Sequence, residues 1–311
     1  PTLVQQHGIV PVLENINDVL VQAPAGRGKT ATFGVGALQL CVNHLEAGRN
    51  FVRGPLVLVL EPTQALAHQA SNEIRRLGVF AGVGVTTCVG GTGGTAIWED
   101  REALECSRPA GIVVGTVGRV WSLIDKEILR LDRLCLLVLD ECDECLKTRK
   151  RGFGEQTTQI VHQVRQMRAN TRVAMFSATL RQETVNVCRD LLDKPVVYRP
   201  LTSALVVSRT VEHHFHPMGA KNYEYVDIVL EDLLSNLVPR DSAVRSWGSI
   251  IVFMDKNKEV GYVMIFLFFS PYIYIEDYTS VVCYDFFCFF SLHLTSCCCR
   301  ASIFHLSQVC G

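Results

Sequence analysis

Two short groups of residues in this 311-residue chain have the types and spacing to handle phosphate. The first is Ala23-Pro-Ala-Gly-Arg-Gly-Lys-Thr30, an A-x-x-G-x-G-K-T run. Glycines at 26 and 28 let successive backbone N–H groups turn inward around a triphosphate, which a crowded backbone cannot do. Lys29 is spaced to reach the β- and γ-phosphates, and the Thr30 hydroxyl to hold Mg²⁺. Ala25, Gly26, Arg27, Gly28, Lys29 and Thr30 are therefore the candidate nucleotide contacts. The second group is Asp140-Glu141, directly after the apolar run Leu134-Cys-Leu-Leu-Val-Leu139. An aspartate at such a strand end can hold the hydrated Mg²⁺ that bridges the phosphates, and the adjoining carboxylate can orient and deprotonate an attacking water. Asp140 is the candidate metal residue and Glu141 the candidate base, with Lys29 beside them in the catalytic set.

Such groups act only if the chain brings them together. Val19-Leu20-Val21 reads as a buried strand before the phosphate loop, and 31–45 as the helix after it, so phosphates would meet a helix N-terminus. Further apolar runs at 55–60, 82–89, 111–116, 134–139 and 172–176 each read as a strand, and each ends in polar or glycine-rich residues. Pro62 ends the 55–60 strand, and Thr63 is placed to cap a helix that continues to Arg76. Helix-like segments fill the intervals. The pattern predicts a doubly wound α/β domain with its ligands beyond the C-terminal strand ends.

Composition narrows the class. With 48% apolar and 20% charged residues the chain is globular, and a net charge of −1 argues against a broadly basic nucleic-acid surface. The 13 cysteines fall unevenly, seven before residue 261 and six after it. No regular even set suggests secretion, so the reading is an intracellular, cytoplasmic protein, with a nuclear location as the alternative. Cys142-x-x-Cys145 has a redox or half-zinc spacing, but no matching pair lies nearby. Along a strand-like run His214 and His216 point opposite to His213, so the three do not converge on one face.

Taken in order, these pieces resemble the DEAD-box ATP-dependent RNA helicases, in particular the branch of eukaryotic translation initiation factor 4A. The matching stretches are 1–6, 22–33, 62–69, 88–92, 113–120, 136–146 and 176–180. The resemblance implies a RecA-like first domain over residues 1–198, a linker at 199–210 and the start of a second RecA-like domain at 211–260. It implies ATP and Mg²⁺ as cofactors, and RNA with translation-initiation or other ribonucleoprotein factors as partners. Gln5 would read the adenine edge, and Ser177, Ala178 and Thr179 would couple ATP to RNA. Pro62, Thr63, Gly91, Thr116 and Arg119 would follow the RNA backbone; backbone N–H groups at element ends can hold phosphates without a basic surface.

The sequence departs from that family in places. Its Arg-Glu after Pro-Thr is Gln64-Ala65, and the Pro of its Thr-Pro-Gly-Arg is Val117. The acidic box reads Asp-Glu-Cys-Asp, a small apolar exchange that keeps both leading carboxylates. Residues 261–311 carry 13 of the 26 aromatics, no lysine and one arginine, Arg300. The apolar stretch 262–275 contains Pro271 and is too short for the roughly 20 residues of a membrane span. This stretch reads as an aberrant tail of the kind a translated intron produces, in place of the arginine-bearing second-domain motifs. Two alternatives follow: a nucleotide-binding module without RNA-stimulated hydrolysis, or another phosphate-loop enzyme. Against the latter, no Asn/Thr-Lys-x-Asp guanine-reading run is present.

Overall fold

The computed structural model describes residues 1–49, 54–105, 111–147, 153–167 and 170–199, together with the strands 211–218, 250–254, 281–284, 287–292 and 301–308. The chain divides into two units, Pro1–Leu205 and Val206–Gly311. In the first unit α1 (Leu3–Glu14), β1 (Val19–Gln22), α2 (Lys29–Glu46), β2 (Val57–Glu61), α3 (Gln64–Leu77), β3 (Val85–Cys88) and α4 (Ile97–Glu105) follow in turn. Then come β4 (Ile112–Thr116), α5 (Val117–Asp125), β5 (Leu136–Leu139), α6 (Cys142–Cys145), α7 (Gly154–Met167), β6 (Arg172–Ser177), α8 (Gln182–Leu191) and β7 (Val196–Tyr198).

The seven strands form one sheet in the order β3-β4-β2-β5-β6-β1-β7, and every pairing is parallel. This is the doubly wound α/β arrangement that the alternating apolar runs predict. Period-two alternation sorts the side chains onto two faces. Val19, Val21, Val57, Val59, Leu136, Val138, Ala174 and Phe176 pack with α1, α2 and α3. Leu20, Leu58, Leu60, Leu137, Leu139, Val173 and Met175 pack on the other side with α5, α7 and α8. Both faces are covered, which is why these strands read as unbroken apolar runs.

Element boundaries moved where local chemistry dictated. Residues 1–6 precede the first helix in the sequence reading, yet α1 already contains Gln5. Thr2 and Gln5 form a capping box, each side chain bonded to the other's backbone N–H, and this starts the helix early. The third strand begins at Val85 rather than Gly82, because Gly82 takes a left-handed turn conformation at φ 65°. Thr63 caps α3, accepting the Leu66 N–H at 3.3 Å. Val196–Tyr198, just ahead of the expected linker, form the edge strand β7 against β1.

Asp18, just ahead of β1, is fully buried and fastens that edge. Its carboxylate accepts the Val173 N–H at 2.9 Å and the Asp193 N–H at 2.6 Å, and pairs with Arg165. Its carbonyl accepts the Val196 N–H at 2.7 Å. In the second unit β8 (Val211–Met218) pairs in parallel with β12 (Ala301–Gln308). There β9 (Ile250–Met254) pairs antiparallel with β11 (Phe287–Leu292), which pairs antiparallel with β10 (Val281–Tyr284). The helix expected at 223–237, the run 255–260 and Arg300 lie outside the described residues.

Candidate functional site

The phosphate loop leaves the buried strand β1 at Ala23, crosses the exposed residues Pro24 to Arg27 and enters α2 at Lys29. Gly28 is the N-cap at φ 87°, a left-handed backbone that glycine takes without strain. A Cβ there would lie 2.5 Å from Gln5 Nε2, so any larger residue would push the Gln5 amide off the loop. Gln5 is thus brought onto the loop from α1, and the Thr2 hydroxyl fixes it there by donating to the Arg27 carbonyl at 2.7 Å.

Lys29 is buried, and its ammonium donates to Glu141 Oε1 at 2.8 Å across 112 residues of chain. Sequence spacing alone could not reveal that contact. Glu141 sits in the left-handed region at φ 43°, an uncommon state for a non-glycine residue and one that clusters at functional sites. Its N–H donates to Asp140 Oδ1 at 2.9 Å, so the two carboxylates are splayed from one turn after β5. Burial, then the neighbouring Glu141 carboxylate, pushes the Asp140 carboxyl up to about 6. Glu61, at the end of β2, is also buried, with its carboxyl raised well above the usual range by burial and by Asp140 and Glu141, against the pull of Lys29.

The third carboxylate of the box makes contacts that its position in sequence did not announce. Asp143 Oδ1 lies 2.7 Å from the Ser177 hydroxyl, and its Oδ2 accepts the Thr179 hydroxyl at 2.6 Å. Thr179 N–H donates to Ser177 Oγ at 3.0 Å, and Ala178 N–H donates to Glu141 Oε2 at 3.4 Å. Ser177, Ala178 and Thr179 are therefore bonded to the same acidic turn that holds Lys29. Asp143 and Glu61 carry no signal in the sequence beyond being acidic; their contacts and burial single them out.

The residues assigned to RNA gather at the neighbouring strand ends. Pro62 and Thr63 follow β2, Gly91 lies in the exposed loop after β3, and Thr116 ends β4 as the N-cap residue of α5. Arg119 is turned inward: its guanidinium meets Asp100 Oδ2 at 3.0 Å and the Thr95 carbonyl. The Thr95 hydroxyl donates to Asp100 Oδ1 at 2.7 Å, so the buried carboxylate is served from both sides. The Gln64 side-chain amide donates to the Gly90 carbonyl and reaches Thr92 O at 3.4 Å, bracing the same loop from α3. Val117, where the family has proline, starts α5 with its side chain fully buried.

A divalent cation fits this site on the structure's own terms. Asp140, Glu141 and Glu61 face a single ammonium, and Glu61 Oε2 is a buried oxygen without a hydrogen-bond partner. Among the described residues no three His, Cys, Asp or Glu side chains converge as a ready-made cage. Mg²⁺ keeps several waters and takes only one or two protein carboxylates, so Asp140 with the Thr30 hydroxyl would be enough to hold it. Among the described residues, too, no helix is long and apolar enough to cross a membrane.

A strand–glycine loop–helix unit with a buried lysine, opposed by two carboxylates from a strand two places along the sheet, defines a phosphate-loop nucleotide-binding protein. Residues 2–187 match the DEAD/DEAH box helicase family, and the chain belongs to that family. It is 32% identical over 260 residues to the ATP-dependent RNA helicase eIF4A of Eremothecium gossypii, covering 84% of this chain and 58% of the relative. It is 38% identical over 196 residues to the eIF4A helicase of Neosartorya fischeri, covering 63% and 44%. The chain thus spans about half the length of these curated relatives. A DEAD box protein from Methanococcus jannaschii superposes with a TM-score of 0.56 at 25% identity, over 86% of this chain and 63% of that one. Saccharomyces cerevisiae Dbp5, solved bound to RNA and ADP BeF3, shares the fold with a TM-score of 0.66 at 20% identity, over 85% and 60%.

Proposed function

We propose that this chain carries the ATP-binding half of an RNA helicase, holding ATP·Mg²⁺ and one side of a single-stranded RNA, and that its partners include translation-initiation or other ribonucleoprotein factors in the cytoplasm. The observation that carries the reading is the double engagement of Glu141, which accepts from Lys29 on the phosphate side and from Ala178 on the Ser177–Thr179 side. Thr30 and Asp140 would hold Mg²⁺, which when bound neutralises charge developing on the phosphates. Lys29 would leave Glu141 for the phosphates, freeing that carboxylate to orient and deprotonate water. The same departure would alter the pull on Ala178, and with it Asp143's hold on Ser177 and Thr179. Residues 1–198 would be the first RecA-like domain, 199–210 the linker and 211–260 the start of the second, with 261–311 an aberrant tail. The division between the two units, after Leu205, falls inside that linker and supports the assignment.

An arginine supplied to the γ-phosphate is worth roughly 10³–10⁵ in rate, and in this family it comes from the second domain. The expected outcome is that the 311-residue chain binds ATP in a Mg²⁺-dependent way, binds RNA weakly and hydrolyses ATP at a basal rate that RNA does not raise. A chimera in which an intact second domain of a related helicase follows Val260 should gain RNA-stimulated turnover. Absence of Mg²⁺-dependent ATP binding in both proteins would overturn the reading. Strong RNA stimulation of the unmodified chain would instead make residues 261–311 a working part of the enzyme.

A further inference from the structure

Alternation along β2 sends Val57 and Val59 to the sheet face covered by α1, α2 and α3, and Glu61 by the same parity goes with them. The first turn of α2, which carries Lys29 and Thr30, lies over that face. The neighbouring strand meets β2 at the Leu60–Leu139 pair, and the Asp140 N–H donates to the Leu60 carbonyl at 3.1 Å. Glu61 and Asp140 therefore leave adjacent strands one step past the same pair, on the same face. Glu61 is 1% exposed, and its Oε2 meets no donor. Leaving a buried polar atom unsatisfied opposes folding. The Lys29 ammonium donates to Glu141 and makes no bond to that Glu61 oxygen.

We propose that Glu61 is a positioning residue for the cation, its unused oxygen accepting a hydrogen from a water on the Mg²⁺ that Thr30 and Asp140 hold. This rests on the ATP·Mg²⁺ reading above. Mg²⁺ gives up its waters reluctantly, so a protein orients it largely through acceptors for those waters. Such outer partners typically govern metal affinity by 10–100-fold. The carboxyl would thus be satisfied only when the cation is present, and the strand end after β2 would register whether the metal has arrived.

The test uses the full chain with ADP and Mn²⁺, following free Mn²⁺ by electron paramagnetic resonance, in the wild type, E61M and E61Q. E61M keeps the side-chain length but offers only a weak thioether acceptor, and should weaken Mn²⁺ binding to the ADP complex about 10–100-fold. Its affinity for metal-free ADP should stay within about twofold of wild type, and its unfolding temperature without metal should be no lower, since it removes an unsatisfied group. E61Q retains a carbonyl oxygen and should recover most of the metal affinity. Mn²⁺ affinity in E61M within about threefold of wild type would overturn the proposal, as would an E61Q as weak as E61M. Should E61M not fold, E61L carries the same expectation. A wild type whose ADP binding ignores Mn²⁺ would instead sink the underlying ATP·Mg²⁺ reading.

Discussion

The nucleotide end of the sheet and the loop cluster beside it are built on opposite electrostatic principles. Around Lys29, three carboxylates share one cation, one of them has an oxygen with no partner, and Asp140 is pushed up to about 6. Around Arg119, one buried carboxylate meets one guanidinium and one hydroxyl, and Gln64 closes the loop over them. The first region is short of positive charge and suited to a ligand that brings it. The second is satisfied from within, so its shape is set before any ligand comes. Asp100 illustrates the contrast: burial raises its carboxyl, while the Thr95 bond and Arg119 hold it down.

Substitutions can break this contrast at either end. The largest effect is expected from Glu141→Gln, which removes the proposed base but keeps an amide within reach of Lys29. Any basal turnover should fall by roughly 10²–10⁴ while ATP affinity stays within a few fold. Equal losses of binding and turnover would move the metal role from Asp140 to Glu141. Next is Arg119→Ala, which strands a 2% exposed Asp100 and should destabilise the first unit by about 3–5 kcal/mol in urea unfolding. Nucleotide affinity per folded molecule should not change; a loss there would show that the two regions are coupled rather than separate.

The smallest effect sharpens the comparison through pH. Because the folded state holds the Asp140 carboxyl at about 6 against an ordinary value of 3.8, it binds that proton more tightly than the unfolded chain does. The resulting stabilisation is full below the ordinary value and is lost as pH rises through about 6. Asp140→Asn cannot titrate and escapes that loss. Without metal or nucleotide, its stability relative to wild type should therefore grow between about pH 4.5 and pH 7. Urea midpoints measured at both ends check this, and a flat difference would mean the site is not overloaded with negative charge.

What the sequence disclosed was what depends on near neighbours. The phosphate loop, the apolar strands and the Thr63 cap each rest on a few consecutive residues, and all appear where their chemistry puts them. The edge strand β7 was illegible because three residues beside a proline become a strand only by pairing with Val19–Val21, far away in the chain. The Arg119 guanidinium is held by Asp100, a residue on another helix, and no local pattern announces that pair. Asp143 and Glu61 could be read as acidic residues, but the hydroxyls that grip the one and the missing donor of the other exist only in three dimensions.

The buried Asp18 has a mechanical consequence. The last described element of the first unit is β7, which is held to the sheet by three residue pairs with β1 and by Asp18 at their shared end. Tension applied beyond residue 199 would load β7 lengthwise, and the resistance to it would come from β1. That strand continues directly into Ala23 and the phosphate loop, and the Ala23 N–H is itself tied to the Ser177 carbonyl at 2.9 Å. A pull on the connecting chain is therefore borne by the strand that presents the phosphate loop, with Asp18 as the anchor where the load enters.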